Sequence, residues 1–159
     1  MSSSFVLDFV SVAWLESFLL SKCIIGDMTL LEVINRIAPV LHKNEHIHAM
    51  WLEGSWATGK NNKHSDIDVW LDVDDGAFKQ CIDAFRQALV SVRESDWEKS
   101  RGVYSQNPKL IKQTFHLSGF PEEQTIELDL QEHSRQFVFS KSEHVIKVLF
   151  DKDDAIRWQ

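Results

Sequence analysis

Apolar residues recur at helical spacing in three parts of the chain. Residues 5–25 are rich in Phe and Leu and predict a helix whose apolar surface needs a partner. Thr29 and Glu32 form a capping-box pair ahead of a second apolar stripe. A third stripe begins after Gly76 and is typical of a helix that covers a sheet. The second stripe comprises Leu30, Ile34, Ile37 and Leu41, and the third comprises Phe78, Cys81, Ile82, Phe85, Ala88, Leu89 and Val92.

Alternation of apolar and polar residues predicts strands between and after these helices. Residues 48–53 are typical of a short strand that runs into Gly54, and a polar loop follows as far as His64. The next segment alternates as a half-buried strand requires. Its apolar face holds Ile67, Val69 and Leu71, and its other face holds Asp66, Asp68 and Trp70.

The C-terminal half predicts a hairpin. Its strands cover residues 110–117 and 125–131, around a turn at Gly119, and a polar stretch at 96–107 separates it from the third helix. A last short strand is predicted at residues 145–150.

These elements predict an α/β (α+β) fold with a small mixed β-sheet, flanked by helices on one side and open on the other. The length of 159 residues suits one domain. We expect that domain at residues 28–159, preceded by an N-terminal apolar helical extension at residues 1–27. This extension either packs back on the domain or mediates formation of a homodimer.

Composition and charge indicate which partners and which cellular compartment to expect. The net charge is −7 and the basic residues are scattered, so we expect no nucleic-acid partner. Charged residues interrupt the apolar N-terminal stretch, so we expect no membrane span. Its start lacks the basic residues and the small-residue cleavage site of a secretory signal, so we expect none. Cys23 and Cys81 lack metal-ligand spacing and suit buried thiols in a reducing compartment, which predicts a cytoplasmic protein.

The candidate catalytic and metal-binding residues lie on the acidic faces of two strands. Asp66 and Asp68, two residues apart on one strand, are separated by about 6.5–7 Å on the same face, so their carboxylates can converge on metal ions. Gly54 and Ser55 follow a strand and offer close backbone approach, amide donors and a hydroxyl group for a triphosphate. On the later strand, both Glu127 and Asp129 lie on the face opposite the apolar residues.

The segment LEGSWATGKNNKHSDIDVWL resembles the signature of the polymerase-beta-like nucleotidyltransferase superfamily. It is most similar to small bacterial members, namely the minimal nucleotidyltransferases of toxin–antitoxin pairs and the aminoglycoside and lincosamide nucleotidyltransferases. The resemblance implies two magnesium ions at Asp66 and Asp68, with ATP or another nucleoside triphosphate as substrate. It also implies that Ser55 contacts the phosphates and that Asp129 completes the metal site or acts as base.

Further candidates belong to the same region of the chain. Lys60 and Ser65 are candidate nucleotide ligands beside Gly54 and Ser55, and Glu127 is the alternative to Asp129 as the third carboxylate. His64 is a candidate phosphate contact. Trp70 and Trp56 are each either a stacking partner for the base or a packing residue within the protein. The three histidines of residues 42–48 lack the companions of a zinc site, and we assign no metal there.

The chain departs from the family pattern in two ways. Thr58 stands where many minimal nucleotidyltransferases have an arginine, and the chain stops soon after the last strand, without the helical domain of many antibiotic-modifying relatives. Three functions therefore remain open. They are modification of a small-molecule acceptor, an antitoxin-type protein that modifies or caps a protein partner, and a catalytically silent nucleotide-binding protein.

Overall fold

The computed structural model describes residues 28–159, so the predicted helix at residues 5–25 and Cys23 lie outside the described residues. The helices of the described part are α1 (Leu30–His42), α2 (Gly54–Thr58) and α3 (Phe78–Val90), with a 3-10 turn at His133–Arg135. The strands are β1 (Ile47–Leu52), β2 (Ile67–Val73), β3 (Ser95–Tyr104), β4 (Asn107–Leu117), β5 (Thr125–Glu132), β6 (Val138–Phe139), β7 (Lys147–Asp151) and β8 (Arg157–Trp158).

Six strands form one mixed sheet in the order β3-β4-β5-β2-β1-β7. Strands β2 and β5 are parallel, whereas the other neighbours in this sheet are antiparallel. Strands β6 and β8 form a separate two-stranded parallel sheet. The predicted mixed α+β architecture, typical of a nucleotidyltransferase fold, is confirmed.

Helices α1 and α3 pack on one face of the large sheet. The predicted capping box opens α1, where the Thr29 amide donates to the Glu32 carboxylate at 2.7 Å and the Glu32 amide donates to the Thr29 hydroxyl at 3.2 Å. The apolar stripe of α3 buries Phe85, whose ring centroid lies 5.5 Å from that of Phe115 in β4. Cys81 is buried in the same core as a free thiol.

The second face of the sheet is less open than the sequence predicts. The C-terminal segment returns across it, and Phe139, Ala155 and Ile156 pack against Ala49 and Trp51 of β1. Acidic and aromatic side chains of β2 lie on this face, because the apolar residues of β2 face the helices. The face therefore has an exposed acidic part and a covered aromatic part.

Most of the polar stretch at residues 96–107, for which no strand was predicted, forms a strand. It forms most of β3, which lies at the edge of the sheet and, among the described residues, pairs with β4 alone. Nearly all of its side chains are exposed on both faces, so its sequence lacks the apolar alternation that marks a half-buried strand. The predicted hairpin itself is present as β4 and β5.

The first part of the predicted loop after residue 53 is helical. Helix α2 occupies its first five residues, which make a single turn that is too short for an apolar repeat to reveal. Within residues 28–159, no helix is both long enough and apolar enough to span a bilayer.

Candidate functional site

Gly54 joins β1 to α2 and lies directly against the carboxylate of Asp68. Its φ of +63° is in the left-handed region that favours glycine. A Cβ atom at this position would lie 2.3 Å from Asp68 Oδ2, so any side chain here would displace the Asp68 carboxylate. The neighbouring Glu53 amide donates to the Asp68 carbonyl at 3.1 Å. The conformation therefore favours glycine at residue 54, and the lack of a side chain there leaves the Asp68 carboxylate in its place.

Helix α2 holds Ser55 next to Gly54, at the end of β1 that lies beside the start of β2. The Lys60 amide donates to the Ser55 carbonyl at 2.9 Å, and the Thr58 hydroxyl donates to the Gly54 carbonyl at 3.0 Å. The Trp56 indole donates to the Asp66 carbonyl at 2.7 Å and packs against the main core. Trp56 thus anchors the Gly–Ser turn to the strand that carries the aspartates.

Three carboxylates converge beside this turn. One carboxylate oxygen each from Asp66, Asp68 and Glu127 lies within 4.8 Å of the others. Asp66 immediately precedes β2, and Asp68 is paired with Glu127 in the parallel register of β2 and β5. Burial and repulsion from the two neighbouring carboxylates raise the pKa of Asp68 to about 6. The cluster therefore carries negative charge that the protein compensates only in part.

Asp129 lies one step farther along the same strand face and is buried. It pairs with Trp70 in the β2–β5 register. The Tyr104 hydroxyl donates to Asp129 Oδ1 at 2.7 Å, and Lys112 Nζ lies 3.5 Å from Asp129 Oδ2. Burial raises the pKa of Asp129, although the Tyr104 and Lys112 contacts oppose that rise. Both oxygens of this carboxylate therefore have protein partners.

Lys112 connects the two candidates for the third carboxylate. Its ammonium group contacts Glu127 as well as Asp129, and its side chain is mostly buried. Burial lowers the pKa of Lys112, but the contacts with these two carboxylates outweigh burial and the pKa is raised overall. Sequence reasoning missed Lys112 and Tyr104, because only the pairing of β4 with β5 and β3 brings them to the site.

A family model for "Polymerase beta, Nucleotidyltransferase" matches residues 35–119 of the chain. This match covers more than half of the 159 residues and includes Gly54, Ser55, Asp66 and Asp68. The chain belongs to this nucleotidyltransferase family. Glu127 and Asp129 lie beyond the matched residues. No curated protein sequence matches the chain.

The acidic cluster of this nucleotidyltransferase fits a divalent cation. Its three side chains offer only oxygen ligands, which Mg²⁺ prefers, and they are partly exposed, so water molecules can complete the coordination. Burial, and then repulsion from the neighbouring carboxylates, raises the pKa of Asp68, and a bound cation would favour the ionised form. Asp66, Asp68 and Glu127 are therefore the residues that could hold the metal of the nucleotidyltransferase.

The other predicted ligands of the nucleotidyltransferase have local partners. The Ser65 hydroxyl accepts a hydrogen bond from the Asn62 amide at 2.9 Å, which closes a turn. His64 pairs with Glu123 at 2.7 Å, and the Lys60 side chain is exposed. Within residues 28–159, no hydrogen bond or ion pair joins these side chains to the three carboxylates.

Two of the histidines pair with Asp74, which follows β2. His46 Nδ1 lies 2.9 Å and His48 Nε2 lies 2.7 Å from its carboxylate oxygens. Asp74 is six residues beyond Asp68, so this group lies at the other end of the strand from the acidic cluster. A separate cleft of about 590 Å³ is lined by Met28 and Trp56, among others, and none of the three carboxylates lines it.

Proposed function

We propose that this nucleotidyltransferase transfers a nucleoside monophosphate, AMP from ATP, to a hydroxyl group of a small-molecule acceptor, with two Mg²⁺ ions as cofactor. The single observation that carries the proposal is the convergence of the Asp66, Asp68 and Glu127 carboxylates beside the Gly54–Ser55 turn. Oxygen ligands for a cation and donors for phosphate are thereby adjacent, as transfer of a nucleotidyl group requires.

In this reaction, the acceptor oxygen forms a bond to the α-phosphorus while the bond from that phosphorus to the bridging oxygen breaks. Pyrophosphate leaves with the electron pair of the broken bond, and the acceptor hydroxyl loses its proton. Bound Mg²⁺ would supply charge neutralisation at the phosphate oxygens. The backbone amides and hydroxyl group of the Gly54–Ser55 turn would bind the β- and γ-phosphates.

We further propose Asp129 as the base that takes the acceptor proton. Its neighbour in the β2–β5 register is Trp70 rather than Asp68, so it lies one step beyond the acidic cluster. Burial raises the pKa of Asp129, which makes it a stronger base than an exposed aspartate. Tyr104 and Lys112 hold its two oxygens in position. The proposed location is the cytoplasm, where the buried thiol of Cys81 stays reduced.

The test is a calorimetric titration with a non-hydrolysable ATP analogue, with and without Mg²⁺. The wild type should bind the analogue only with the metal, and the Asp66→Asn, Asp68→Asn double variant should lose at least tenfold in affinity. A Glu122→Gln, Glu143→Gln variant is the matched control, because it removes the same charge from exposed positions. Equal binding by both variants would contradict the proposal.

Turnover is read separately, as transfer of label from α-labelled ATP to a panel of hydroxyl-bearing aminoglycosides and lincosamides. Label should move to an acceptor in the wild type and not in the Asp68→Asn variant. Metal-dependent binding without transfer to any acceptor would favour a nucleotide-binding protein that is catalytically silent. Transfer to a co-purifying protein would instead favour a protein acceptor.

A further inference from the structure

An aromatic pocket of about 170 Å³ lies on the sheet face that carries the acidic cluster. Its walls include Trp51, Trp70, Phe137, Phe139, Glu53 and Arg135. Trp51 and Trp70 are stacked at 5.8 Å between ring centroids, and Phe139 meets Trp51 edge-on at 5.6 Å. Trp51 is buried, so Trp70, which is partly exposed, offers the accessible ring face. We refer to this site as the aromatic pocket.

The aromatic pocket is adjacent to the candidate catalytic groups along the strands. Trp70 follows Asp68 by two residues on the same face, which corresponds to about 6.5–7 Å. Asp129 is the partner of Trp70 in β5, and Trp51 is its partner in β1. Along β2, Asp68 lies against Gly54, and Trp70 lies two residues farther from that turn. Asp129 is beside Trp70 in the register but does not itself line the aromatic pocket.

This order matches the geometry of an in-line displacement. The attacking oxygen must approach the α-phosphorus from the side opposite the leaving pyrophosphate. If the pyrophosphate binds at the Gly54–Ser55 turn, the acceptor approaches from the opposite direction along β2. The aromatic pocket lies in that direction from Asp68.

The size and lining of the aromatic pocket define what it can hold. Cavities of about 150 Å³ accommodate one six-membered ring, so this pocket suits a single ring rather than a fused system. The Trp51 indole donates to Glu53 Oε1 at 3.0 Å, and among the described residues no hydrogen bond occupies Glu53 Oε2. The Arg135 guanidinium lies 4.4 Å from the Phe137 ring centroid and donates to Gln131 at 2.6 Å.

A ring face for stacking and a carboxylate oxygen at its rim suit a ring that bears hydroxyl or amino groups. The Glu53 and Asp72 carboxylates offset the charge of the Arg135 guanidinium, and the neighbouring acidic cluster then disfavours an anionic ring. We propose that the aromatic pocket binds one six-membered ring of the acceptor, a neutral or cationic ring with hydroxyl or amino substituents, next to Asp129. This inference rests on the proposed nucleotidyl transfer, because the direction of attack defines the acceptor side.

The test uses two single-ring probes, glucosamine and methyl glucoside, and ligand-observed NMR with the full chain. Binding is measured with and without Mg²⁺ and the non-hydrolysable ATP analogue. Millimolar affinity is expected for probes of this size. Trp70→Leu should weaken probe binding at least tenfold and Glu53→Gln about threefold to tenfold, while the affinity for the ATP analogue changes less than twofold. Trp97→Leu is the matched control, because Trp97 is exposed on β3 and stacks on His116 outside the pocket.

Three outcomes would overturn the inference. The first is that neither probe binds the wild type under either condition. The second is that adenosine displaces the probes or that Trp70→Leu weakens the ATP analogue as much as the probes, which would assign the pocket to the base. The third is that Trp97→Leu weakens the probes as much as Trp70→Leu. If Trp70→Leu fails to fold, Trp70→Phe, which keeps a ring face, should bind within about threefold of the wild type while Glu53→Gln does not.

A different result would contradict the proposed nucleotidyl transfer itself, namely that the wild type shows no metal-dependent binding of the ATP analogue. Because the probes are also titrated without nucleotide, their binding still decides whether the pocket accepts such a ring.

Discussion

Replacing Asp68 with asparagine is expected to stabilise the metal-free protein at neutral pH. Burial and two neighbouring carboxylates raise the pKa of Asp68 from 3.8 to about 6. That change corresponds to roughly 3 kcal/mol at about 1.4 kcal/mol per pH unit. Asp68 is partly exposed and water screens its neighbours, so we expect about 1–2 kcal/mol in practice. Asparagine has nearly the same shape and removes the charge.

The pH dependence follows from proton binding in the two states. The unfolded chain loses the Asp68 proton near pH 3.8, whereas the folded protein keeps it until about pH 6. The unfolded state binds fewer protons between these values, so the free energy of unfolding of the wild type falls as the pH rises through this window. The asparagine variant has no such titration. Its advantage should be absent below pH 4 and complete above pH 7.

The assay is urea or thermal unfolding of the full chain in EDTA at a series of pH values. For a chain of this length, 1–2 kcal/mol corresponds to about 2–8 °C in Tm. Added Mg²⁺ should raise the stability of the wild type and not of the variant. The control is Asp83→Asn, because Lys79 and Arg86 lower the pKa of Asp83. That variant should lose stability above pH 4, the opposite sign.

An Asp68→Asn variant that is less stable than the wild type at pH 8 would refute the unfavourable burial and crowding of the Asp68 charge. An advantage that is the same at pH 4 and pH 8 would also refute it, because repulsion between carboxylates requires them to be ionised.

Three further changes test the fold. Gly54→Ala should cost about 1–3 kcal/mol and also abolish binding of the ATP analogue, whereas Gly76→Ala, with φ of +78° and open space, should cost stability alone; equal effects in urea unfolding and calorimetry would argue against the close approach. Phe85→Ala should lower the free energy of unfolding by about 3–5 kcal/mol in urea, since the ring is fully buried, and a loss below 1 kcal/mol would be inconsistent with that packing. Asp74→Asn should destabilise the protein mainly between pH 4 and 6.5. The pKa of Asp74 is lowered, so its contribution is lost as the pH falls, and the pKa of His48 is raised, so its contribution is lost as the pH rises. A pH-independent difference in Tm would count against this pairing.

The local patterns of the sequence predict most of the fold because they depend on nearby residues. The capping box at Thr29 and the stripe of α3 are properties of one helix each, and the alternation in β2 fixes which side chains face the core. Gly54, Asp66 and Asp68 are close in the chain, and one strand and one turn suffice to bring them together. The edge strand β3 escaped prediction, since it buries neither face.

The third carboxylate shows where sequence reasoning stops. Glu127 and Asp129 share one strand face, so alternation cannot distinguish them. The register of β2 with β5 pairs Asp68 with Glu127, and a shift of two residues would pair it with Asp129 without changing any face. That register is a long-range property of the sheet.

The sequence alone therefore determined helices α1 and α3, the acidic strand faces and the Gly54–Asp68 motif, since each arises from residues near one another in the chain. The tertiary structure decided which carboxylate joins Asp66 and Asp68, and it brought Lys112 and Tyr104 to Asp129. It also brought the C-terminal segment over the tryptophans to form the aromatic pocket. These arrangements depend on the strand register and on the path of the C-terminal segment across the sheet. Both are determined by contacts between residues that are far apart in the sequence.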